Sequence, residues 1–176
     1  MPRIAFATIG RLRAPVGDAI VQGFIDRVPA TYDQAGHSPG FIDRSRRDIE
    51  TWTQSWGEVV SPKCYDCDPE LLAATLSMWQ DLESVAAYAY RGHHAEALAN
   101  RRDWFEADDL PTYVAWWIAD GEEPSFAQAA EKFDYLHEHG PTPEAFNFRT
   151  AFAPDGSPYQ LNSALVKEKA ALAATR

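Results

Sequence analysis

The sequence predicts an α+β protein with the ferredoxin-like order β-α-β-β-α-β and an extra C-terminal helix. Three observations lead to this prediction: short apolar runs typical of strands, two stretches with helical spacing between them, and a length of 176 residues, which suits about one domain. Two successive units of this type form an antiparallel sheet that carries its helices on one face. We expect this domain over residues 1–153 and a tail, in part helical, over residues 154–176.

The first half of the pattern begins with a short, β-branched and aromatic run, Arg3–Ile9, which predicts a strand. Asp18 fits an N-cap, and the apolar residues after it recur every three or four positions, as in an amphipathic helix. Pro29 falls inside that helix and is expected to kink it or end it early. Residues 41 to about 60 have no helical period, and we interpret them as one or two strands.

The second half of the pattern opens with residues 72–79, where apolar and polar positions alternate as in a half-buried strand. A long helix is predicted from residue 81 to about 105, with an aspartate at its N-cap. Residues 112–119 form a dense β-type run. Ser125 and Gln128 then have the spacing of a capping box, which predicts another helix.

A sheet with helices on one face leaves its other face to be buried. The predicted strands carry Phe6, Trp79, Trp116 and Trp117, and the adjacent Trp116 and Trp117 must point to opposite faces of the sheet. We therefore expect a homodimer in which two sheets cover each other.

Charge and composition exclude several partners. The 16 basic against 26 acidic residues give a net charge of −10, so neither nucleic acid nor an anionic membrane surface is an expected partner. No apolar run of about 18 residues and no signal-peptide pattern is visible, which favours a cytoplasmic location and no membrane span. Cys64 and Cys67 are too few for a disulfide framework.

The stretch Tyr90-Arg91-Gly92-His93-His94, followed by Arg101, contains the candidate catalytic residues. On one continuous helix, His94 and Arg101 share a row, and a nearby guanidinium favours the neutral imidazole. Neutral imidazole is the form required of a general base or a metal ligand. His94 and Arg101 are therefore the candidate catalytic pair, although solvated or structural histidines would show the same spacing.

Aromatic side chains are the candidates for contacting an apolar or aromatic substrate: Phe6, Trp79, Tyr90, Trp104 and Trp117. Rings in such numbers also suit a plain hydrophobic core. The Cys64-x-x-Cys67 motif has no second ligand pair for zinc, and phosphate-binding loops, GxSxG and HExxH are missing from the sequence. We therefore predict neither a metal site nor a cofactor, with haem kept as an alternative.

Several motifs carry a resemblance to the bacterial domain of unknown function 3291 family, within the dimeric α/β-barrel superfamily. The similarity covers about residues 4 to 152, and His94 matches the family motif whereas His93 does not. Asp43 stands where many members have a bulky aromatic residue, and residues beyond about 153 fall outside the usual extent of the family. The motifs are Ile9-Gly10-Arg11-Leu12-Arg13-Ala14-Pro15, Ser38-Pro39-Gly40-Phe41, Leu76-Ser77-Met78-Trp79, Leu82-Glu83, Tyr90-Arg91, Arg101-Arg102-Asp103-Trp104-Phe105-Glu106, Val114-Ala115-Trp116-Trp117 and Gly140-Pro141-Thr142-Pro143-Glu144-Ala145-Phe146.

The resemblance implies a dimer with a pocket between each sheet and its helices, but it supplies no reaction. The superfamily includes cofactor-free monooxygenases, small-molecule isomerases and lyases, and haem enzymes. Our leading hypothesis is a small enzyme on an apolar or aromatic metabolite, with His94 as general base and Arg101 stabilising a developing anion. The alternatives are a haem protein with His94, or less favourably His93, as axial ligand, and a non-catalytic dimer that binds a small molecule.

Overall fold

The computed structural model describes residues 1–48, 50–51, 53–90 and 92–173, without the side chains of residues 92, 93, 97 and 98. Its core is a four-stranded antiparallel sheet in the spatial order β2-β3-β1-β4. This is the ferredoxin-like strand order, so the predicted fold class is confirmed. The strands are β1 (Arg3–Arg11), β2 (Phe41–Arg44), β3 (Leu72–Trp79) and β4 (Tyr113–Ile118), and a separate hairpin consists of β5 (Ala151–Phe152) and β6 (Pro158–Tyr159).

Both predicted helices of the ferredoxin-like unit are interrupted. The first divides near Pro29, which lies in the first turn of its second part. The second begins at its expected N-cap, where the Asp81 carboxylate accepts the Ser84 backbone N–H at 2.8 Å, but it consists of three short helices. The helices are α1 (Ala19–Ile25), α2 (Val28–His37), α3 (Leu82–Ala89), α4 (Gly92–Ala99), α5 (Arg101–Trp104), α6 (Phe126–His139) and α7 (Ser163–Ala173).

Residues 41 to 60 were expected to form one or two strands, but only β2 is a strand of the sheet. The following residues form a long connection in which Arg47 and Gln54 make one isolated bridge. Trp56 and Tyr65 from this connection are nevertheless buried in the core. Their rings fill space against the sheet without joining its hydrogen-bond ladder, which explains why an apolar pattern without helical period suggested strands.

One face of the sheet is covered by α3. Trp79, Ile4 and Trp117 lie directly opposite one another across β3, β1 and β4, so their side chains share this face. Leu82 and Val85 of α3 are fully buried in the same cluster. This end of the sheet is therefore closed by tightly packed apolar side chains.

The other face is covered by α6 of the same chain. Ala7 and Trp116 are buried there together with Phe126 and Phe133 of α6. The expectation that helices occupy one face only is therefore wrong, because the capped helix that follows β4 folds back across the second face. A homodimer stays a prediction, but burial of this sheet does not require a second copy.

The C-terminal segment packs against α3. The Glu83 side chain is 2% exposed, and its Oε1 atom accepts the Tyr159 hydroxyl at 2.7 Å and the Asn162 backbone N–H at 3.0 Å. Lys169 of α7 donates to the Asp81 carboxylate at 3.0 Å. As a result all eight residues of α3 are buried. In the part of the chain that the structure describes, no helix is long and apolar enough to cross a membrane.

Candidate functional site

A row of polar side chains crosses the middle of the sheet on the face that carries α3. Thr75, Thr8 and Tyr113 lie directly opposite one another on β3, β1 and β4. The two threonine hydroxyls are 2.7 Å apart. All three residues are partly exposed although two of them lie on the central strands of the sheet. Partly exposed side chains at the centre of a sheet indicate a cleft between the covering helices.

The two ends of this cleft are closed by aromatic rings. On one side, the row containing Trp79 is buried beneath α3. On the other side, Phe105 contacts Gly10 so closely that an added Cβ would lie 2.7 Å from the ring. Glycine at this position therefore lets the ring approach the strand. We call the area between them the central cleft. It consists of the partly exposed residues Thr8, Thr75, Tyr113 and Phe148, the exposed Tyr90, and Phe6, which is buried against Phe148.

One wall of the central cleft is aromatic. The Phe148 ring centroid lies 5.1 Å from that of Tyr113, 5.7 Å from that of Phe6 and 5.8 Å from that of Tyr90. Burial and the neighbouring Tyr90 hydroxyl raise the pKa of Tyr113 to about 12. The Tyr113 phenol is therefore protonated at neutral pH and can donate a hydrogen bond to a bound oxygen atom.

His94 lies in the first turn of α4, and a hydrogen bond to the backbone of Ala89 fixes its tautomer. The Nδ1 atom is 2.8 Å from the Ala89 carbonyl oxygen, which can only accept a hydrogen bond, so Nδ1 carries the hydrogen and Nε2 keeps its lone pair. No described residue is hydrogen-bonded to Nε2. Burial lowers the pKa of His94 below 6.5, against the opposing effect of the Ala89 hydrogen bond. The imidazole is therefore neutral near pH 7.

Two neighbouring residues at the junction between α3 and α4 make contacts in different directions. Ala89 supplies the carbonyl that holds His94, and the next residue, Tyr90, reaches the aromatic wall at Phe148. The His94 ring also packs against Tyr88, with 4.8 Å between ring centroids. These contacts do not follow from the periodicity of one continuous helix, because α3 ends at Ala89 with Tyr90 as its C-cap.

Arg101 is placed differently from the expectation. It is exposed on α5 and makes no side-chain hydrogen bond or ion pair with another described residue. Its predicted position beside His94 depended on one continuous helix, and that helix is interrupted between α3 and α4 and again at Asn100. A catalytic role for Arg101 stays a prediction without this geometric support.

The structure places the five predicted substrate-binding rings in three different surroundings. Phe6 and Tyr90 meet at the central cleft through Phe148. Trp79 is fully buried against Tyr88, and the Trp117 Nε1–H donates to the Phe152 carbonyl at 2.7 Å. These two tryptophans therefore have core partners.

Trp104 belongs to a different part of the molecule. It is buried between α5 and α1, where its ring contacts Phe24 and the Arg27 guanidinium lies 5.1 Å from its centroid. Gly23 faces the same ring. Contact of Trp104 with a substrate is thus a prediction that the described contacts do not favour.

Sequence reasoning missed the polar floor of the cleft. The alternation of β3 does contain Thr75 and Ser77, but only strand register shows that Thr75 lies beside Thr8. Phe148 was missed because it precedes β5 in an irregular segment. The signal that could have predicted this polar floor was the presence of hydroxyl-bearing residues at inward-facing positions of the central strands.

Neither a metal cluster nor an activated thiol is evident in the described part of the chain. No group of three or more His, Cys, Asp or Glu side chains there could hold a metal ion. Burial and the Asp134 carboxylate raise the pKa of the Cys64 thiol to about 12, and burial also raises the pKa of Cys67. Both thiols are therefore protonated at neutral pH and poor nucleophiles.

The fold is that of a ferredoxin-like α+β protein, with partly exposed polar and aromatic side chains on the sheet face that carries α3. The chain belongs to the family described as Domain of unknown function (DUF3291), whose family model matches residues 3–162. The predicted family membership is thus confirmed. No curated protein matches the chain.

Three solved structures are similar to this chain. A conserved protein from Methanosarcina mazei Go1 is 15% identical, with a TM-score of 0.42 and coverage of 67% of this chain and 92% of its own. A candidate antibiotic biosynthesis monooxygenase from Nitrosomonas europaea is 7% identical, with a TM-score of 0.43 and coverage of 70% and 94%. SnoaB, a cofactor-independent oxygenase from Streptomyces nogalater, is 9% identical, with a TM-score of 0.41 and coverage of 70% and 97%. Similarities at this level carry no information about the reaction.

Proposed function

We propose that this protein is a small enzyme that acts on an apolar or aromatic metabolite by acid–base chemistry at the central cleft. The observation that carries the proposal is the hydrogen bond between His94 Nδ1 and the Ala89 carbonyl, at 2.8 Å. The imidazole is neutral with a fixed tautomer, and no described residue is hydrogen-bonded to its Nε2, which is the form that a general base requires.

The substrate class follows from the cleft. Aromatic side chains of Phe6, Tyr90 and Phe148 offer an apolar wall, and the hydroxyls of Thr8 and Thr75 offer a polar floor. A ring with one oxygen substituent fits both surfaces. Ligand sites of this kind combine an apolar lining with a few polar groups that orient the ligand.

The proposed chemistry is a proton abstraction from an enolisable carbon or a phenolic hydroxyl. His94 Nε2 accepts the proton, and negative charge then develops on the substrate oxygen. The Tyr113 phenol, which is protonated at neutral pH, donates a hydrogen bond to that oxygen. This assigns to Tyr113 the stabilising role that the sequence assigned to Arg101.

The test is exchange of hydrogen for deuterium at the α-carbon of a panel of aryl ketones incubated with the full chain in D2O, with phenolic compounds followed for turnover because their hydroxyl proton exchanges with water unaided. Mass spectrometry reports any enzyme-dependent incorporation or turnover. We expect His94→Ala to lower the rate about 10²- to 10⁴-fold, the usual contribution of a general base. Tyr113→Phe should lower it by a smaller factor and leave the fold intact.

His139→Gln is a matched control. His139 also places Nδ1 near the carbonyl four residues before it, at 3.1 Å, and its ring stacks on Tyr135, but it lies on α6. Its replacement should leave the rate unchanged. Full activity in His94→Ala would overturn the role of His94, and activity lost equally in both variants would show a structural effect.

Haem ligation by His94 is the alternative that the same geometry favours, since an axial ligand also needs a free Nε2 and a hydrogen-bonded Nδ1. Titration with haemin distinguishes the two functions. A shifted Soret band that is lost in His94→Ala would support haem binding, whereas binding of an aromatic metabolite without turnover would support a non-catalytic binder. A homodimer and a cytoplasmic location are kept as proposals and are measured by light scattering and fractionation.

A further inference from the structure

A second concave surface lies between α2 and β2. It is an open groove of about 570 Å³, lined by Val28, Pro29, Tyr32, Gly36, Phe41 and Arg44 together with Asp33, His37 and Arg46. Its volume falls in the range of about 300–1,000 Å³ that is usual for small-molecule sites. We call it the α2–β2 groove.

The groove is separate from the proposed catalytic site. The α2 residues that line it recur with the helical period, from Val28 to His37. Thr31 and Gln34 contact the α3–α4 segment instead, since the Thr31 backbone carbonyl accepts the Tyr88 hydroxyl and the Gln34 side-chain oxygen accepts the His94 backbone N–H. With 3.6 residues per turn, these two sets lie on opposite faces of the helix. Helix α2 therefore stands between the groove and His94.

Arg44 is the central cation of the groove. Its guanidinium carbon lies 3.8 Å from the centroid of the Tyr32 ring, and its Nη1 donates to the Ser45 carbonyl at 2.9 Å. Burial raises the pKa of Tyr32, although Arg44 and Arg47 oppose this effect, so the stacked ring is neutral. Stacking fixes the plane of the guanidinium, and no described carboxylate forms an ion pair with it.

The carboxylates near the groove do not pair with Arg44. The Asp43 carboxylate is 2.6 Å from the Arg46 guanidinium, and the exposed Asp33 carboxylate lies 3.6 Å from His37 Nδ1, a pair that carries opposite charges only when His37 is protonated. Among the described residues, the guanidinium of Arg44 therefore has no ion-pair partner and can bind an anion. In a chain with a net charge of −10, a local positive charge of this kind attracts small anions.

We infer that the α2–β2 groove binds a small aromatic carboxylate. The carboxylate accepts hydrogen bonds from the in-plane N–H groups of Arg44, a geometry that a planar guanidinium matches in bidentate fashion. The ring of the ligand lies against Pro29 and Phe41, which supply the apolar part of the lining.

Benzoate is the probe that tests this inference, with benzyl alcohol as the uncharged ring of similar size. In ¹H–¹⁵N spectra of the full chain, benzoate should cause saturable shifts of the Gly36 and Phe41 amides and of the Arg44 Nε–H, whereas benzyl alcohol should not. An absence of saturable shifts up to about 10 mM benzoate, the weak end of specific binding, would overturn the inference.

The variants assign the effect to one side chain. Arg44→Gln should weaken benzoate binding about tenfold or more, because it removes a charge-assisted hydrogen bond. Arg44→Lys should lose an intermediate amount of benzoate affinity, since it keeps the charge without the planar guanidinium. If Arg44→Gln does not fold, the affinity of Arg44→Lys tests the role of Arg44 instead. Arg102→Gln, at an exposed arginine of α5, is the matched control and should bind normally.

His94→Ala separates this inference from the proposed function. It should abolish proton abstraction but leave benzoate binding in the groove unchanged. Benzoate shifts that centre on Tyr113 instead of Gly36, or unchanged affinity in Arg44→Gln, would contradict the groove assignment and leave the catalytic proposal untouched.

Discussion

The Tyr159 hydroxyl donates to Glu83 Oε1 across 2.7 Å and so connects the C-terminal hairpin to the first turn of α3. The same oxygen atom accepts the Asn162 backbone N–H at 3.0 Å. A carboxylate that is 2% exposed is stable only where hydrogen bonds replace its water, and here both donors come from beyond residue 153.

Replacing Tyr159 by phenylalanine should therefore lower the free energy of unfolding by about 1–2 kcal/mol, near the lower end for a hydrogen bond to a charged group, because Asn162 still contacts Glu83. Urea denaturation followed by circular dichroism measures the change. Tyr135→Phe is the control, since no described residue is hydrogen-bonded to that hydroxyl. An equal loss in both variants would contradict the assigned role of Glu83.

The lowered pKa of His94 predicts a pH dependence of stability. Below pH 6.5 the unfolded chain takes up a proton that the buried imidazole resists, so this residue destabilises the folded state as the pH falls through that value and has no such effect above it. Urea denaturation of the native chain and of His94→Gln at pH 7.5 and 5.5 measures the effect. The native chain should lose more stability on acidification than the variant, and equal losses would show that the imidazole is not buried.

Gly40 should tolerate no side chain. Its φ of +78° lies in the left-handed region, and an added Cβ would overlap the hydroxyl of the fully buried Ser84. Gly40→Ala should therefore cost about 2–5 kcal/mol, the sum of backbone strain and overpacking. Gly17 has a φ of +102° with open space around it, so Gly17→Ala isolates the backbone contribution, about 1–2 kcal/mol. Thermal or urea denaturation should show the larger loss at Gly40.

The cover of the second sheet face predicts how stability responds to protein concentration. Phe133 of α6 is 2% exposed against that face, so Phe133→Ala should lower the free energy of unfolding by about 3–5 kcal/mol. Because the contact lies within one chain, the loss should be the same at low and high protein concentration. A loss that shrinks as concentration rises would show that a second copy completes this face.

Local signals in the sequence predicted the parts of the fold that depend on nearby residues. Asp81 and the Ser125–Gln128 pair cap their helices as expected, because a cap is a contact between residues two or three positions apart. The apolar stripe of α6 was also evident, but periodicity does not state which face of a sheet a helix covers. On the face that α6 covers, its apolar side chains share one buried cluster with Trp56 and Tyr65, which come from a distant part of the chain.

The site was less predictable for the same reason. The prediction of one helix from residue 81 to 105 was wrong, because α3 ends at Ala89 and the carbonyl of that residue is hydrogen-bonded to the His94 ring. Helix propensity does not predict such a contact, and the weak helix former Gly92 was the one local signal for a break. The pairing of Thr8 with Thr75 depends on strand register, which a single strand pattern leaves open. The sequence singled out His94 through the chemistry of its side chain, and its catalytic role stays a prediction.

Helix α2 lies between His94 and the α2–β2 groove and contacts both. On one side, the Gln34 side chain accepts a hydrogen bond from the His94 backbone N–H. On the other side, the ring of Tyr32, two residues earlier in the same ten-residue helix, stacks on the Arg44 guanidinium. The positions of the imidazole and the guanidinium therefore both depend on α2, and a shift of this helix towards one of them would weaken its contact with the other.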